Sequence, residues 1–165
     1  MAEKTIQEYL TSIEESLAGI IEACKGLPED VIRWNPSEEE WSILQIASHI
    51  NEATPYWINE TKRVLEQPGC EWGRGLQHAA RLDAVSNLDD LSVEKTLFGV
   101  ILLRDEVRAA LGNLTEEQLK IESPHRNFAK FGNKPVSFII GHFIDEHLAS
   151  HKGQIQRNLS KLAEV

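Results

Sequence analysis

The sequence has two cysteines, no cluster of basic residues and no long apolar run, and each lack removes a class of function. Cys24 and Cys70 form no Cys-x-x-Cys pair and follow no secretory signal, so neither a thiolate metal knuckle nor a disulfide framework is expected. Cys24 falls on an apolar stripe and reads as a core residue. Cys70 lies in a Pro-Gly segment with no basic neighbour to lower its thiol pKa, which argues against a nucleophilic role. Lys and Arg number 17 against 26 Asp and Glu, a formal net charge of -9. That field repels phosphate backbones and anionic lipid, so neither nucleic acid nor a membrane is an expected partner. The apolar stretches fall far short of the roughly 20 residues of a membrane span. Met1 to Glu8 shows no basic region leading into an apolar segment, and a cytoplasmic location is the expectation. Strand-like alternation, internal repeats and low-complexity tracts are absent too.

What is present is the mixture of an ordinary globular protein, 41% hydrophobic and 26% charged over 165 residues, and one domain spanning residues 1–165 is expected. From Thr5 to about Gly26, Ile6, Leu10, Ile13, Leu17, Ile20 and Cys24 recur at spacings of four and three, which predicts a helix with one apolar face. Thr5 and Glu8 have the spacing of a capping box at its start, and Leu27-Pro28 ends it. Ser42 and Gln45 repeat the capping spacing at the head of a second helix, which should run to about Glu66, with a kink just after His49 because Pro55 removes one backbone donor and crowds the preceding turn. Pro68 to Ser86 has three glycines and no period, a long crossover after which the second and third helices need not be antiparallel neighbours. The third helix takes up around Leu88 or Ser92 and continues to Leu111, with Leu97, Val100, Val107 and Leu111 as its stripe. Gly112-Asn113 stops it, and Thr115 with Gln118 caps one short turn. Pro135 suits the first turn of a fourth helix that runs to about Leu162. The expected fold is all-α, a four-helix bundle with a long crossover between helices two and three.

Of the six histidines, two fall where polarity is a liability. On the fourth helix the stripe runs Ile140, Ile144, His147, His151, Ile155 and Leu162, and at 100° per residue the two imidazoles lie about 40° apart near its centre. Side chains four apart on one face can share a single ion. The bland reading is that one caps a carbonyl and the other reaches solvent. His142 points nearly opposite to His151. His49, between Ile46 and Ala53, sits at the edge of the second helix's apolar face, where it is either a third ligand or a boundary residue. His78 in the crossover and His125 beside Pro124 read as surface residues. Two other bundle and helix chemistries fail on the same residues. The only Glu-x-x-His spacing, Glu122 to His125, contains a proline and lies in a loop, so a di-iron carboxylate site is not expected. Between His147 and His151 stand Leu148-Ala149-Ser150, which lack the glutamate base of His-Glu-x-x-His proteases.

Trp34-Asn35-Pro36, Trp41-Ser42-Ile43, His49-Ile50 and His147-x-x-x-His151-Lys152-Gly153-Gln154-Ile155 occur in that order, and together they resemble the DinB/YfiT-like superfamily of small bacterial metal-binding proteins. The resemblance spans essentially the whole chain. It implies a four-helix bundle that binds one divalent ion, commonly nickel or zinc, and the family's ligand positions fall on His49, His147 and His151. Members with known activities resemble transferases and isomerases that use a low-molecular-weight thiol, and many members have no established activity.

Three neutral imidazoles leave a coordination position open for water or substrate, as in catalytic sites. With the resemblance, this points to a metal-dependent enzyme that activates a thiol or a water against a small electrophile, with a small-molecule substrate, and the resemblance implies a low-molecular-weight thiol as a further cofactor. A non-catalytic metal-binding stress-response bundle is the alternative, and a homodimer formed through an exposed helix face is a reading left open. Glu52, Asp145 and Glu146 have the spacing to orient the imidazoles, although a solvated charge is the commoner role of each. Trp41, Tyr56, Trp57, Trp72 and Arg74 are candidates for a substrate face, against the commoner role of helical aromatics in a core.

Overall fold

The computed structural model describes residues 4–165; Met1, Ala2 and Glu3, which the expected domain includes, lie outside the described residues. Helix α1 (Ile6–Cys24) buries every residue of the predicted stripe. Its capping box is complete, with Thr5 Oγ1 accepting from the Glu8 N–H at 3.2 Å and Glu8 Oε1 accepting from the Thr5 N–H at 3.3 Å. A single turn, α2 (Glu29–Ile32), follows Pro28 and buries Ile32. Helix α3 (Ile43–Glu66) starts on the Ser42–Gln45 box and stays helical through Pro55. The crossover holds the short α4 (Ala79–Asp83) and a 3₁₀ turn at Leu88–Asp90, order that its lack of period did not announce. Helix α5 (Val93–Leu111) is capped by Ser92 and buries Thr96, Val100, Leu103, Val107 and Leu111; Leu97 is only half-buried. The turn α6 (Glu116–Leu119) has the Thr115–Gln118 box.

Strands β1 (Glu122–Pro124) and β2 (Asn133–Pro135) form an antiparallel ribbon around the turn α7 (Phe128–Phe131), although no alternation marks them. They are three residues each, too short to show a period of two, and each ends on a proline. The last helix is not uniform: α8 (Val136–Phe138) leads through a π-helical stretch at Ile139–Asp145 into α9 (Glu146–Ala163). Pro135 ends the second strand and precedes the helix, rather than occupying its first turn.

Cross-helix pairs give the direction of each helix. Ser12 meets Asp145 and the Lys152 side chain lies over Gly19, so α1 and α9 run parallel. Arg108 bonds Glu14 and Gln7 donates to the Gly112 carbonyl, so α1 and α5 are antiparallel. Asn51 reaches the Thr96 carbonyl while Pro55 to Lys62 face Glu106 to Ala110, so α3 and α5 are parallel neighbours. His49 meets His147 and Trp57 stacks on Phe143, so α3 and α9 are antiparallel. α1 and α3 sit across the bundle from one another.

Parallel α3 and α5 require the chain between them to travel back along the bundle. Arg74 bonds Glu52, the Ala84 carbonyl accepts from Ser48 and the Val85 carbonyl accepts from Gln45, so the crossover runs antiparallel along α3. Arg33 holds its far end by donating to the Leu88 and Leu91 carbonyls. The core unites Leu10, Ile13, Leu17 and Ile20 of α1 with Ile46 and Ile50 of α3, Val107 of α5 and Ile144, Leu148 and Ile155 of the last helix. Each such side chain contributes about 1.5–3 kcal/mol by leaving water. Among the described residues, no helix is long and apolar enough to cross a membrane.

Candidate metal centre

His49 lies in the second turn of α3, and His147 and His151 lie one above the other on α9, across the antiparallel helix pair. Their side chains converge. His147 Nε2 stands 3.0 Å from His49 Nε2 and 2.9 Å from His151 Nε2, and the available ligand atoms all fall within 4.8 Å of one another. His49 is 3% exposed, and the other two are half-buried.

Neutral imidazoles alone cannot satisfy this arrangement. Gln154 Oε1 accepts from His151 Nδ1 at 2.8 Å, which leaves His151 Nε2 as a lone pair facing His147. His147 Nε2 has one hydrogen at most and two nitrogens beside it, so one approach sets lone pair against lone pair or divides a single hydrogen. Protonation is no remedy. Burial first, then the neighbouring imidazoles and the charges of Arg81 and Arg74, push His49 down to about 2. Burial, His151 and the two arginines push His147 down to about 3. For His151 burial lowers the pKa and the Gln154 bond partly opposes it. One divalent cation would satisfy all three nitrogens, and ligands at about 2.0–2.1 Å from a tetrahedral ion stand about 3.3 Å apart, near the separations seen. The donor set therefore fits a divalent metal.

The surroundings shape the centre. The Trp41 ring lies 5.0 Å from the ring of His49 and stacks on His151 at 6.3 Å, and its carbonyl accepts from Asn158. Of the aromatics considered for a substrate face, Trp41 is set against two of the three imidazoles. The crossover passes along α3 between the bonds at Glu52 and Ser48, which brings Arg81 opposite the His49 turn. Gln154 is the residue that orients an imidazole, and the sequence reading passed over it, although it stands three after His151 in the very segment that carried the resemblance. None of the three suggested carboxylates does so. Glu52 holds Arg74 in a two-pronged pair at 2.6 and 2.7 Å, buried Asp145 accepts from Ser12 at 2.6 Å with Lys4 at 3.7 Å, and Glu146 pairs with His142. The Nδ1 atoms of His49 and His147 are buried without a partner.

The remaining histidines divide. His78 and His142 are exposed. His125 is 4% exposed, which corrects its reading as a surface residue. A bridge joins Trp72 to His125, with the Trp72 N–H donating to the Pro124 carbonyl and the Arg126 N–H to the Trp72 carbonyl. The crossover thus covers the imidazole, with Gly73 against it: a Cβ there would overlap His125 Nε2, and Gly73 has φ +100°. Only glycine suits both demands. Trp57 and Trp72 are core residues, while Tyr56 carries the Arg74 guanidinium on its ring at 4.0 Å.

The sequence profile of the DinB superfamily matches residues 12–155, a span that contains all three converging histidines. The chain belongs to the DinB superfamily. Among solved structures, YfiT from Bacillus subtilis, described as a probable metal-dependent hydrolase with an unusual four-helix bundle topology, superposes with a TM-score of 0.73 at 14% identity, covering 97% of this chain and 90% of that one. An uncharacterised protein from Escherichia coli UTI89 gives a TM-score of 0.72 at 11% identity, with 98% and 96% covered. A protein from Streptococcus pneumoniae gives 0.71 at 14% identity, with 95% and 91% covered. At such identities the likeness establishes the DinB fold, a four-helix bundle. No functionally curated protein matches the chain.

Proposed function

We propose that this DinB protein is a divalent-metal-dependent enzyme that uses His49, His147 and His151 to hold one ion, nickel or zinc, and turns a water or a low-molecular-weight thiol against a small electrophile. The observation that carries this reading is the meeting of three imidazole nitrogens that no arrangement of neutral tautomers satisfies. When bound, the ion supplies Lewis acidity that makes a water or a thiol a competent nucleophile near neutral pH.

The chain's own residues do the rest. Gln154 fixes the tautomer and the ring plane of His151, and Trp41 shields two of the imidazoles from water. Arg81, which has no carboxylate partner among the described residues, sets a positive field at the centre that disfavours protonated imidazoles and favours negative charge developing beside them. Among the described residues no carboxylate hydrogen-bonds any of the three rings. The hydrolase described for the Bacillus subtilis relative makes water one of the two nucleophiles to try.

The test is elemental analysis of purified protein, then titration with nickel and zinc, then turnover of an activated ester in water and of a thiol with a generic electrophile. Stoichiometric metal, and turnover in either assay that His147→Ala abolishes, is the expected result. Protein that holds no metal and takes up none overturns the reading. Metal retention without turnover in either assay would place the centre in a non-catalytic metal-binding bundle instead.

A further inference from the structure

Between the crossover, the β1–β2 segment and the last helix lies a cavity of about 640 Å³, which reaches the last helix at His142 and Phe143, one turn before His147. Its charged lining is Arg74, Arg126 and Lys130, and no carboxylate lines it, in a chain whose net charge is -9. Arg74 is spoken for by Glu52 and is nearly buried, so its role is to stiffen the wall. Arg126 and Lys130 have no ion-pair partner among the described residues. Arg126 lies close over Gly75, where a Cβ would come within 3.2 Å of Nη1, and the Trp72–His125 bridge holds the backbone on both sides of that approach. Phe131 and Phe143 give the cavity aromatic walls.

Two cations without a carboxylate partner, one of them, Lys130, lying over the Phe131 ring at 5.1 Å, together with aromatic walls and a volume in the range of small-ligand sites, describe a receptor for an organic anion. We infer that this cavity binds a small molecule with an aromatic or apolar body and an anionic head, carboxylate or phosphate, the head held by Arg126 and Lys130 and the body by Phe131 and Phe143. Phe143 precedes His147 by about one helical turn, and Glu52, which anchors Arg74, follows His49 by three residues on α3. The cavity therefore lies about one helical turn from His147 along the last helix. Resting on the metal-dependent reading above, the ligand is the acidic end of the substrate, with its electrophilic end towards the centre.

The experiment is an amide-resolved NMR titration, with zinc content measured on the same samples, of the protein as purified and after zinc addition. The probes are phenylacetate, phenyl phosphate and the neutral phenylacetamide, each up to about 10 mM, which detects millimolar affinity. The expected result is shifts at Arg126, Lys130, Phe131 and Phe143 with one or both acids, and binding by the amide at least about tenfold weaker. The tighter acid identifies the head. Arg126→Ala/Lys130→Ala, two exposed side chains whose removal leaves the core intact, should weaken the acids at least about tenfold. Shifts confined to the histidine segments, equal binding of the amide, or unchanged affinity in the double variant overturns the inference, as does silence with both acids. Protein that takes up no zinc yet binds an acid at these residues upholds the cavity and removes only the metal-dependent reading.

Discussion

Acid should destabilise the metal-free protein well before its carboxylates titrate. In the folded chain His49 is pushed down to about 2 and His147 to about 3, chiefly by burial, against 6.5 for an ordinary histidine. The unfolded chain therefore binds more protons than the folded one below pH 6.5. Stability rises with pH through that window and is lost as pH falls from 6.5 towards the folded values. At about pH 5.5, one unit below the unfolded pKa, each ring kept neutral loses about 1.4 kcal/mol, so the pair removes about 3 kcal/mol relative to about pH 7.5. His151 and His125 are shifted in the same direction by burial and add to the loss. Domains of this size have about 5–15 kcal/mol in all, so the effect is large. Urea denaturation of chelator-treated protein at the two pH values measures it. The double variant His49→Leu/His147→Leu should keep less than half of the acid dependence. A wild-type protein whose unfolding free energy changes by less than about 1 kcal/mol, or a double variant with an undiminished dependence, refutes the linkage.

Three more outcomes follow from named contacts. Gln154→Leu removes the acceptor that orients His151 and should weaken zinc binding about 10- to 100-fold in a competition titration against a chromophoric chelator, with the melting temperature little changed. Gly73→Ala combines a left-handed backbone with overlap on His125 and should lower stability by about 2 kcal/mol or more in urea melts, whereas Gly75→Ala, which meets only the flexible end of Arg126 at 3.2 Å, should cost less. Ile144→Ala, fully buried in the π-helical stretch, should cost about 2–5 kcal/mol by the same measurement.

The helices were legible where local signals and burial agree. The α1 stripe and the three capping boxes are short-range patterns, and each appears where its residues stand. His147 and His151 were legible as a polar pair in an apolar stripe, and the structure sets them against His49. What the sequence concealed depends on partners far away in the chain. His125 looks like a loop residue because nothing local buries it; Trp72, some fifty positions earlier, does. The π-helical stretch at Ile139–Asp145 has no composition of its own, and the 100° wheel passed straight through it. Glu52 was a plausible orienting carboxylate until the crossover delivered Arg74 to it. Gln154 was visible throughout, three residues beyond His151, and needed only the question of what accepts from Nδ1.

The antiparallel pairing of α3 with α9 joins histidines nearly a hundred residues apart. Such a contact carries a large loop-closure entropy. During synthesis the His49 turn leaves the ribosome long before α9 exists, so the nascent chain presents one imidazole where the finished protein presents three. The complete set of three imidazoles therefore exists only once the last helix has docked against α3, and an ion that needed all three would find them only in the finished bundle.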